Sequence, residues 1–142
     1  MKEYIIDASV LVQNFITDAY SGNVEALLDE GEDLIELYTP QFCVLECANV
    51  LWKYVRFHNM PQTQAEYSIS DLVKLPMIIL PIDTMLLRSL QIGLEHKLAV
   101  YDSIYIALAE KLGYPLITVD KKQEKAAIAC GVSVKAVTDF VP

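Results

Sequence analysis

The apolar and polar positions of this chain alternate repeatedly between a strand-like and a helix-like period. Strands are predicted at residues 3–7, 34–38, 77–80, 116–119 and 133–137. Helices are predicted at about 9–15, 21–29, 41–57, 62–74, 83–94, 102–112 and 121–130, with stops at Gly31, Gly113 and Gly131. Strands separated by helices favour a parallel sheet covered by helices on both faces. The chain is therefore predicted to be α/β, a three-layer α/β/α sandwich that forms a single domain over residues 1–142.

Two of the predicted strands end on an aspartate that leads at once into a helix. Asp7 closes the first strand, and Asp120 closes the fourth. The carboxyl ends of parallel strands share one edge of the sheet, where ligands bind, so these two carboxylates can converge. Asp102 begins an apolar helix that leads into the fourth strand, and Glu46 interrupts the apolar pattern of another helix. These four acids are the candidates for a common site.

Carboxylates gathered in one crevice repel one another, which raises their pKa values unless a cation is present. Mg²⁺ or Mn²⁺ would remove this conflict, because hard divalent ions prefer oxygen ligands. Three neutral polar residues, Ser9, Asn49 and Thr118, are placed where they could orient a carboxylate or a bound water. The predicted cofactor is therefore Mg²⁺ or Mn²⁺.

Each acid also has an ordinary structural interpretation. Aspartate is a common N-cap residue, and Asp7, Asp102 and Asp120 could each cap the helix that follows. Asp120 and Gln123 also have the spacing of a capping box. Glu46 could lie on the exposed polar face of an amphipathic helix. Capping and catalysis therefore both remain open for these positions.

Composition and charge limit the possible partners. The net charge of −8 argues against a broad basic surface for nucleic acid, although three lysines follow Asp120 directly, at 121, 122 and 125. The hydrophobic fraction of 54% exceeds the usual ~45–50%, which predicts a homodimer or a partner peptide. No apolar run is long enough to cross a bilayer, and the N-terminus has no signal-like segment, so we expect a cytoplasmic protein without a membrane anchor.

Other reactive groups lack the motifs of competing chemistries. The chain has no GxGxxG, GxxxxGK[ST], HExxH or GxSxG motif, and His58 and His96 stand alone. The cysteines are expected to be buried reduced thiols, at positions 43, 47 and 130. The tyrosines are expected to pack against other residues rather than to stack on bases, at positions 54, 67, 101 and 105.

Taken together, four segments resemble the PIN domain, and most closely its VapC type of toxin ribonuclease. They are Asp7-Ala8-Ser9, Glu46 with Asn49, the run from Tyr101 to Ala109, and Thr118-Val119-Asp120. Order, spacing and length agree over nearly the whole chain. The resemblance implies a compact α/β/α fold whose acids bind Mg²⁺ or Mn²⁺ and hydrolyse RNA phosphodiester bonds.

The resemblance also assigns roles to individual positions. The acidic quartet would be Asp7, Glu46, Asp102 and Asp120, and its polar supports would be Ser9, Asn49 and Thr118. VapC-like proteins commonly form homodimers, and a small antitoxin inhibits them by laying its C-terminal segment across the active-site groove. The resemblance thus implies three partners: an RNA substrate, a small antitoxin and a second copy of the chain.

Two other functional classes remain open. A PIN-like chain could act as a non-catalytic adaptor or as an RNA-processing factor, although the complete quartet argues against an adaptor. A receiver-like signalling domain is also α/β with Mg²⁺ near strand-end acids. It would show an acidic pair after the first strand and a lone lysine after the last strand. Here the first strand ends on Asp7 alone, and Lys135 falls inside the last predicted strand.

Overall fold

The structure is a computed structural model that describes residues 1–30 and 34–142. Its sheet contains the strands β1 (Lys2–Ile6), β2 (Ile35–Pro40), β3 (Met77–Leu80) and β4 (Leu116–Ile117). The strand order is β3-β2-β1-β4, and every neighbouring pair is parallel. The sheet is flanked by helices, so the predicted three-layer α/β/α fold is confirmed.

The pairing of β1 with β4 places the N-terminal strand next to a strand from the C-terminal part of the chain. In this ladder Ile5 pairs with Leu116 and Ile6 with Ile117. Both strands run in the same direction, so the residues that follow them leave the sheet at the same edge. Asp7 is consequently adjacent to the segment that contains Thr118, although 111 positions separate the two residues.

The helices follow the apolar periodicity closely. They are α1 (Ala8–Leu11), α2 (Ser21–Asp29), α3 (Cys43–Phe57), α4 (Gln62–Leu72), α5 (Leu86–His96), α6 (Val100–Leu112) and α7 (Lys121–Ala129). Short 3₁₀ turns occur at Val12–Asn14, Asp83–Met85 and Val137–Asp139. Gly113 and Gly131 end α6 and α7 with φ of +72° and +79°, as predicted. The predicted stop at Gly31 lies outside the described residues.

Helix α6 is the central helix of the fold. Its residues from Ser103 to Ala109 are all buried, and it packs against β1, β2, β4, α5 and α7. This burial explains why the sequence of α6 is almost entirely apolar. It also fixes the first turn of α6, which carries Asp102, near the edge of the sheet where β1 and β4 end.

Two predictions about the last strands are wrong. Strand β4 ends at Ile117 and not at residue 119, because side chains take over the backbone groups that follow. The N–H of Val119 donates to Ser9 Oγ at 3.3 Å, and the N–H of Asp120 donates to Thr118 Oγ1 at 3.1 Å. The predicted strand 133–137 is reduced to one bridge between Leu116 and Val134, because β4 is too short to pair with a longer partner.

The remaining structural expectations are partly met. Cys43 and Cys47 are free and buried as predicted, whereas Cys130 is only partly buried. Of the four tyrosines expected to pack, Tyr105 is buried, but Tyr67 and Tyr101 are largely exposed. No helix in the described part of the chain is both long and apolar enough to span a membrane.

Candidate active site

Asp7 is the most deeply buried of the four candidate acids. Its side chain is 3% exposed and caps α1, accepting a hydrogen bond from the N–H of Val10 at 3.1 Å. Ser9 Oγ lies 2.8 and 2.9 Å from its two carboxylate oxygens, and Thr118 Oγ1 donates to Oδ2 at 2.7 Å. The N-cap prediction for Asp7 is confirmed, and both predicted supports, Ser9 and Thr118, contact it.

The protons offered to Asp7 do not fill its acceptor capacity. A carboxylate has about four lone-pair sites. Three protons point at it, from the hydroxyls of Ser9 and Thr118 and from the Val10 N–H. One acceptor position is left by this count. Burial raises the pKa of Asp7 from 3.8 to about 7, the three hydrogen bonds oppose the rise, and the charge of Asp120 adds to it.

Asp120 follows β4 and caps α7, as predicted. Its Oδ1 accepts from the N–H of Lys122 at 3.0 Å and from the N–H of Gln123 at 3.2 Å. The second half of the predicted capping box is absent. The Asp120 N–H donates to Thr118 Oγ1, and the side chain of Gln123 extends to the backbone carbonyl of Asp102, with Nε2 donating at 2.9 Å. The capping-box prediction is therefore wrong for the Gln123 side chain.

Asp102 lies inside the first turn of α6. The N-cap residue of this helix is Ala99, so the capping interpretation of Asp102 is wrong. Within the described residues, the Asp102 carboxylate makes no hydrogen bond and no ion pair. Burial raises its pKa first, the charge of Asp120 raises it further, and Lys122 lowers it. In the described part of the chain the Asp102 carboxylate therefore has no bonding partner, and the charges of Asp120 and Lys122 act on it in opposite directions.

Glu46 lies in the first turn of α3 and is only partly exposed. The hydroxyl of Tyr105 donates to its Oε1 at 2.8 Å, across 59 positions of sequence. Burial raises the pKa of Glu46, the hydrogen bond from Tyr105 lowers it, and the charge of Asp102 raises it. The alternative that Glu46 lies on an exposed polar face is therefore wrong, because its carboxylate faces a buried tyrosine on another helix.

The four acids form a row in which each carboxylate interacts with the next. Asp7 interacts with Asp120, Asp120 with Asp102, and Asp102 with Glu46, each pair with like charge. Neutral side chains join the same neighbours: Thr118 bonds both Asp7 and Asp120, and Gln123 bonds both Asp120 and Asp102. The sheet edge thus collects four carboxylates whose mutual repulsion disfavours full ionisation.

This set of groups fits a hard divalent cation. All four candidates offer oxygen atoms, the ligand type that Mg²⁺ and Mn²⁺ prefer. Over residues 1–30 and 34–142, no three histidine, cysteine, aspartate or glutamate side chains are grouped closely enough to hold a metal ion together. Mg²⁺ does not require such a group, because it usually takes one or two protein carboxylates and completes its shell with water and phosphate oxygens.

Asn49 is the candidate support that the structure does not bring to the acids. It lies on α3 one turn after Glu46, its side chain is exposed, and in the described part of the chain it makes no hydrogen bond to any of the four acids. Tyr105 and Gln123, in contrast, contact the acids, although a packing role was predicted for Tyr105 and a capping-box role for Gln123. Tyr105 could have been found from its spacing, since it follows Asp102 by three positions, one turn along α6.

The chain is similar in sequence to known proteins. Residues 4–129 match the family described as the PIN domain. Ribonuclease VapC3 from Pyrobaculum aerophilum is 28% identical over 120 residues, which are 83% of this chain and 89% of that protein.

Solved structures of other proteins share the fold. The crystal structure of PAE2754 from Pyrobaculum aerophilum superposes with a TM-score of 0.75 at 22% identity, covering 97% of this chain and 92% of the other. The DNA-bound VapBC complex from Salmonella typhimurium gives a TM-score of 0.70 at 12% identity, covering 96% of this chain and 99% of the matched chain. The resemblance to VapC proteins is thus confirmed in sequence and in fold.

Proposed function

Because the chain belongs to the PIN domain family, we propose that it is a Mg²⁺- or Mn²⁺-dependent endoribonuclease and the toxin component of a VapBC-type pair. The row of like-charged acids, which starts after β1 and β4 and continues onto α6 and α3, carries the proposal. Folding such a set together is unfavourable unless a cation or a proton compensates it. The assignment to the PIN family also removes the receiver-like alternative.

The four acids would have different roles in the reaction, according to their surroundings. Asp7 and Asp102 would hold the ion: Asp7 keeps one acceptor position, and the Asp102 carboxylate is uncommitted among the described residues. Asp120, whose charge acts on both Asp7 and Asp102, would be the next ligand, and Glu46 would hold a second ion or position the attacking water. When bound, the ion lowers the pKa of the attacking water and stabilises charge on the phosphodiester.

The remaining residues orient these groups. Ser9 and Thr118 fix the plane of the Asp7 carboxylate, and Tyr105 fixes that of Glu46. The exposed Lys122 is near Asp102 and provides a positive charge for a substrate phosphate in an otherwise acidic protein. In the reaction the water loses a proton as its oxygen bonds to phosphorus, the ester P–O bond breaks, and the leaving oxygen takes up a proton.

Cleavage of an RNA panel that contains tRNA and rRNA fragments tests this proposal. The purified protein is assayed with Mn²⁺ or with EDTA, next to Asp102→Asn and the matched control Asp71→Asn, an exposed aspartate on α4. We expect cleavage that requires Mn²⁺, is lost in Asp102→Asn and is kept in Asp71→Asn. Equal cleavage by the wild type and Asp102→Asn would refute the site. If neither protein cuts any RNA, a non-catalytic adaptor role is favoured.

Two protein partners complete the proposal. A small antitoxin is supported by the likeness to the chain in the VapBC complex, and co-expression with a small reading frame adjacent to the gene tests it by copurification. A homodimer is supported by the exposed leucines of α5, which leave an apolar surface on the isolated chain. They are Leu86, Leu87, Leu90 and Leu94, between 47% and 74% exposed.

A further inference from the structure

Gln123 contacts Asp102 and Asp120, the two acids at the centre of the row. Its backbone N–H donates to Asp120 Oδ1 at 3.2 Å, and its side-chain Nε2 donates to the backbone carbonyl of Asp102 at 2.9 Å. Gln123 lies in the first turn of α7, and Asp102 lies in the first turn of α6. One residue therefore connects the two helix starts that carry these acids.

The local sequence offers the Gln123 side chain a different partner, which it does not use. A glutamine three residues after an N-cap can bond back to the N-cap N–H. Here Thr118 Oγ1 already accepts the Asp120 N–H at 3.1 Å. The amide of Gln123 is consequently free to reach across to α6. The hydroxyl that joins Asp7 to Asp120 thus also determines where the Gln123 side chain goes.

The other half of the amide is unusual. Gln123 is 1% exposed, and within the described residues its Oε1 is buried without a hydrogen-bond partner. A buried acceptor without a partner is unfavourable, and such atoms are rare in native proteins. An apolar side chain of the same length would avoid this cost and keep the packing. A residue chosen for stability alone would therefore not be expected here.

We propose that Gln123 is a positioning residue, which holds Asp102 at a fixed separation from Asp120 so that the acids can share a divalent ion. This inference rests on the proposed function, because it assumes that the ion binds at these acids. Residues that orient metal ligands typically change metal affinity by about 10–100-fold when they are replaced. We therefore expect Gln123 to act on ion affinity rather than on folding.

The test measures Mn²⁺ affinity by calorimetry and the melting temperature in EDTA for the full chain. Gln123→Met keeps the length of the side chain but removes its donor and acceptor, and Gln123→Asn keeps the amide but is one methylene too short. We expect Mn²⁺ to bind both variants about tenfold more weakly. The melting temperature of Gln123→Met in EDTA should be unchanged or higher, because its buried acceptor is gone. The control Gln64→Met, at an exposed position on α4, should match the wild type in both measurements.

The outcomes distinguish a failure of the Gln123 role from a failure of the proposed ion site. Wild-type Mn²⁺ affinity in both Gln123 variants would overturn the inference. A weaker affinity with a matching fall in melting temperature would also overturn it, since Gln123 would then be merely structural. Asp102→Asn is measured in parallel: if it too binds Mn²⁺ like the wild type, the proposed ion site is wrong. If only Asp102→Asn loses affinity, the site stands and the role of Gln123 does not.

Discussion

Thr118, the residue that follows β4, donates a hydrogen bond of 2.7 Å to Asp7, the residue that follows β1. The same hydroxyl accepts the N–H of Asp120, so it orients one acid and fixes the backbone of another. Because Asp7 is buried, each donor that faces it partly replaces the water it has lost. The contact is therefore central to whether Asp7 can be ionised when a cation binds.

Replacing Thr118 by Val should weaken both folding and ion binding. Val has nearly the same shape but no hydroxyl, so it leaves Asp7 with one donor fewer and the Asp120 N–H without an acceptor. We expect a loss of about 1–3 kcal/mol in the free energy of unfolding and weaker Mn²⁺ affinity. Urea unfolding and calorimetry measure these quantities. Thr118→Ser, which keeps the hydroxyl, should recover most of both, and equal losses in Ser and Val would contradict this account.

The burial of Asp7 predicts a pH dependence of stability in EDTA. Burial raises the pKa of Asp7 from its ordinary value of 3.8 to about 7, so between these pH values the folded state holds a proton that the unfolded state has released. The contribution of Asp7 to stability is then greatest below pH 3.8, falls as the pH rises, and stops falling above about pH 7. Across this pH range, the ionisation of Asp7 should lower the free energy of unfolding by about 4 kcal/mol.

Asp7→Asn should remove this part of the pH dependence, because the amide does not ionise. Urea unfolding of both proteins in EDTA from pH 4 to pH 8 provides the comparison. We expect the variant to be the more stable of the two at pH 8, with the difference shrinking toward pH 4. Saturating Mn²⁺ should stabilise the wild type at pH 8 but not the variant. Parallel stability curves in EDTA would show that Asp7 does not titrate in this range.

Tyr105→Phe tests how Glu46 is held. The substitution removes the donor of the 2.8 Å bond to Glu46 Oε1 while it keeps the buried ring. The pKa of Glu46 should rise further, since the bond that opposed the effect of burial is lost. The pH at which RNA cleavage reaches half its maximum should shift upward, with a stability loss of about 1 kcal/mol. Tyr114→Phe, a partly buried tyrosine away from Glu46, is the control, and an unshifted profile in Tyr105→Phe would exclude a role for Glu46 in cleavage.

The helices, the strands and the convergence of Asp7 with Asp120 could be predicted because they depend on local periodicity and on the geometry of parallel sheets. The sequence did not reveal how side chains compete for the same backbone groups. Thr118 takes the N–H that a capping box would assign to Gln123, whose side chain extends to α6 instead. The same contact and that of the Val119 N–H with Ser9 take the backbone groups that a longer β4 would use. The last predicted strand failed for a related reason, since a two-residue β4 offers Val134 only one bridge.

The sequence also could not show which apolar faces of the outer helices are buried within the chain itself. An apolar repeat shows that a face is covered, but it does not show whether the same chain covers it. In α5 the pattern includes Ile92, which is fully buried, and also Leu87 and Leu94, which are 70% and 74% exposed. The excess of apolar residues noted in the composition is therefore located in part on this helix.

A charge-adding double substitution on α5 should separate the proposed homodimer into monomers. Leu87→Glu with Leu94→Glu adds two negative charges per chain to a protein of net charge −8, and a symmetric contact would face these charges with their own copies. Because both side chains are largely exposed in the single chain, folding should be little affected. Light scattering should show a dimer for the wild type and for the control Val73→Glu, whose side chain is 65% exposed at the end of α4. A variant that remains dimeric would place the contact on another surface, whereas a monomeric wild type would remove the homodimer from the proposal.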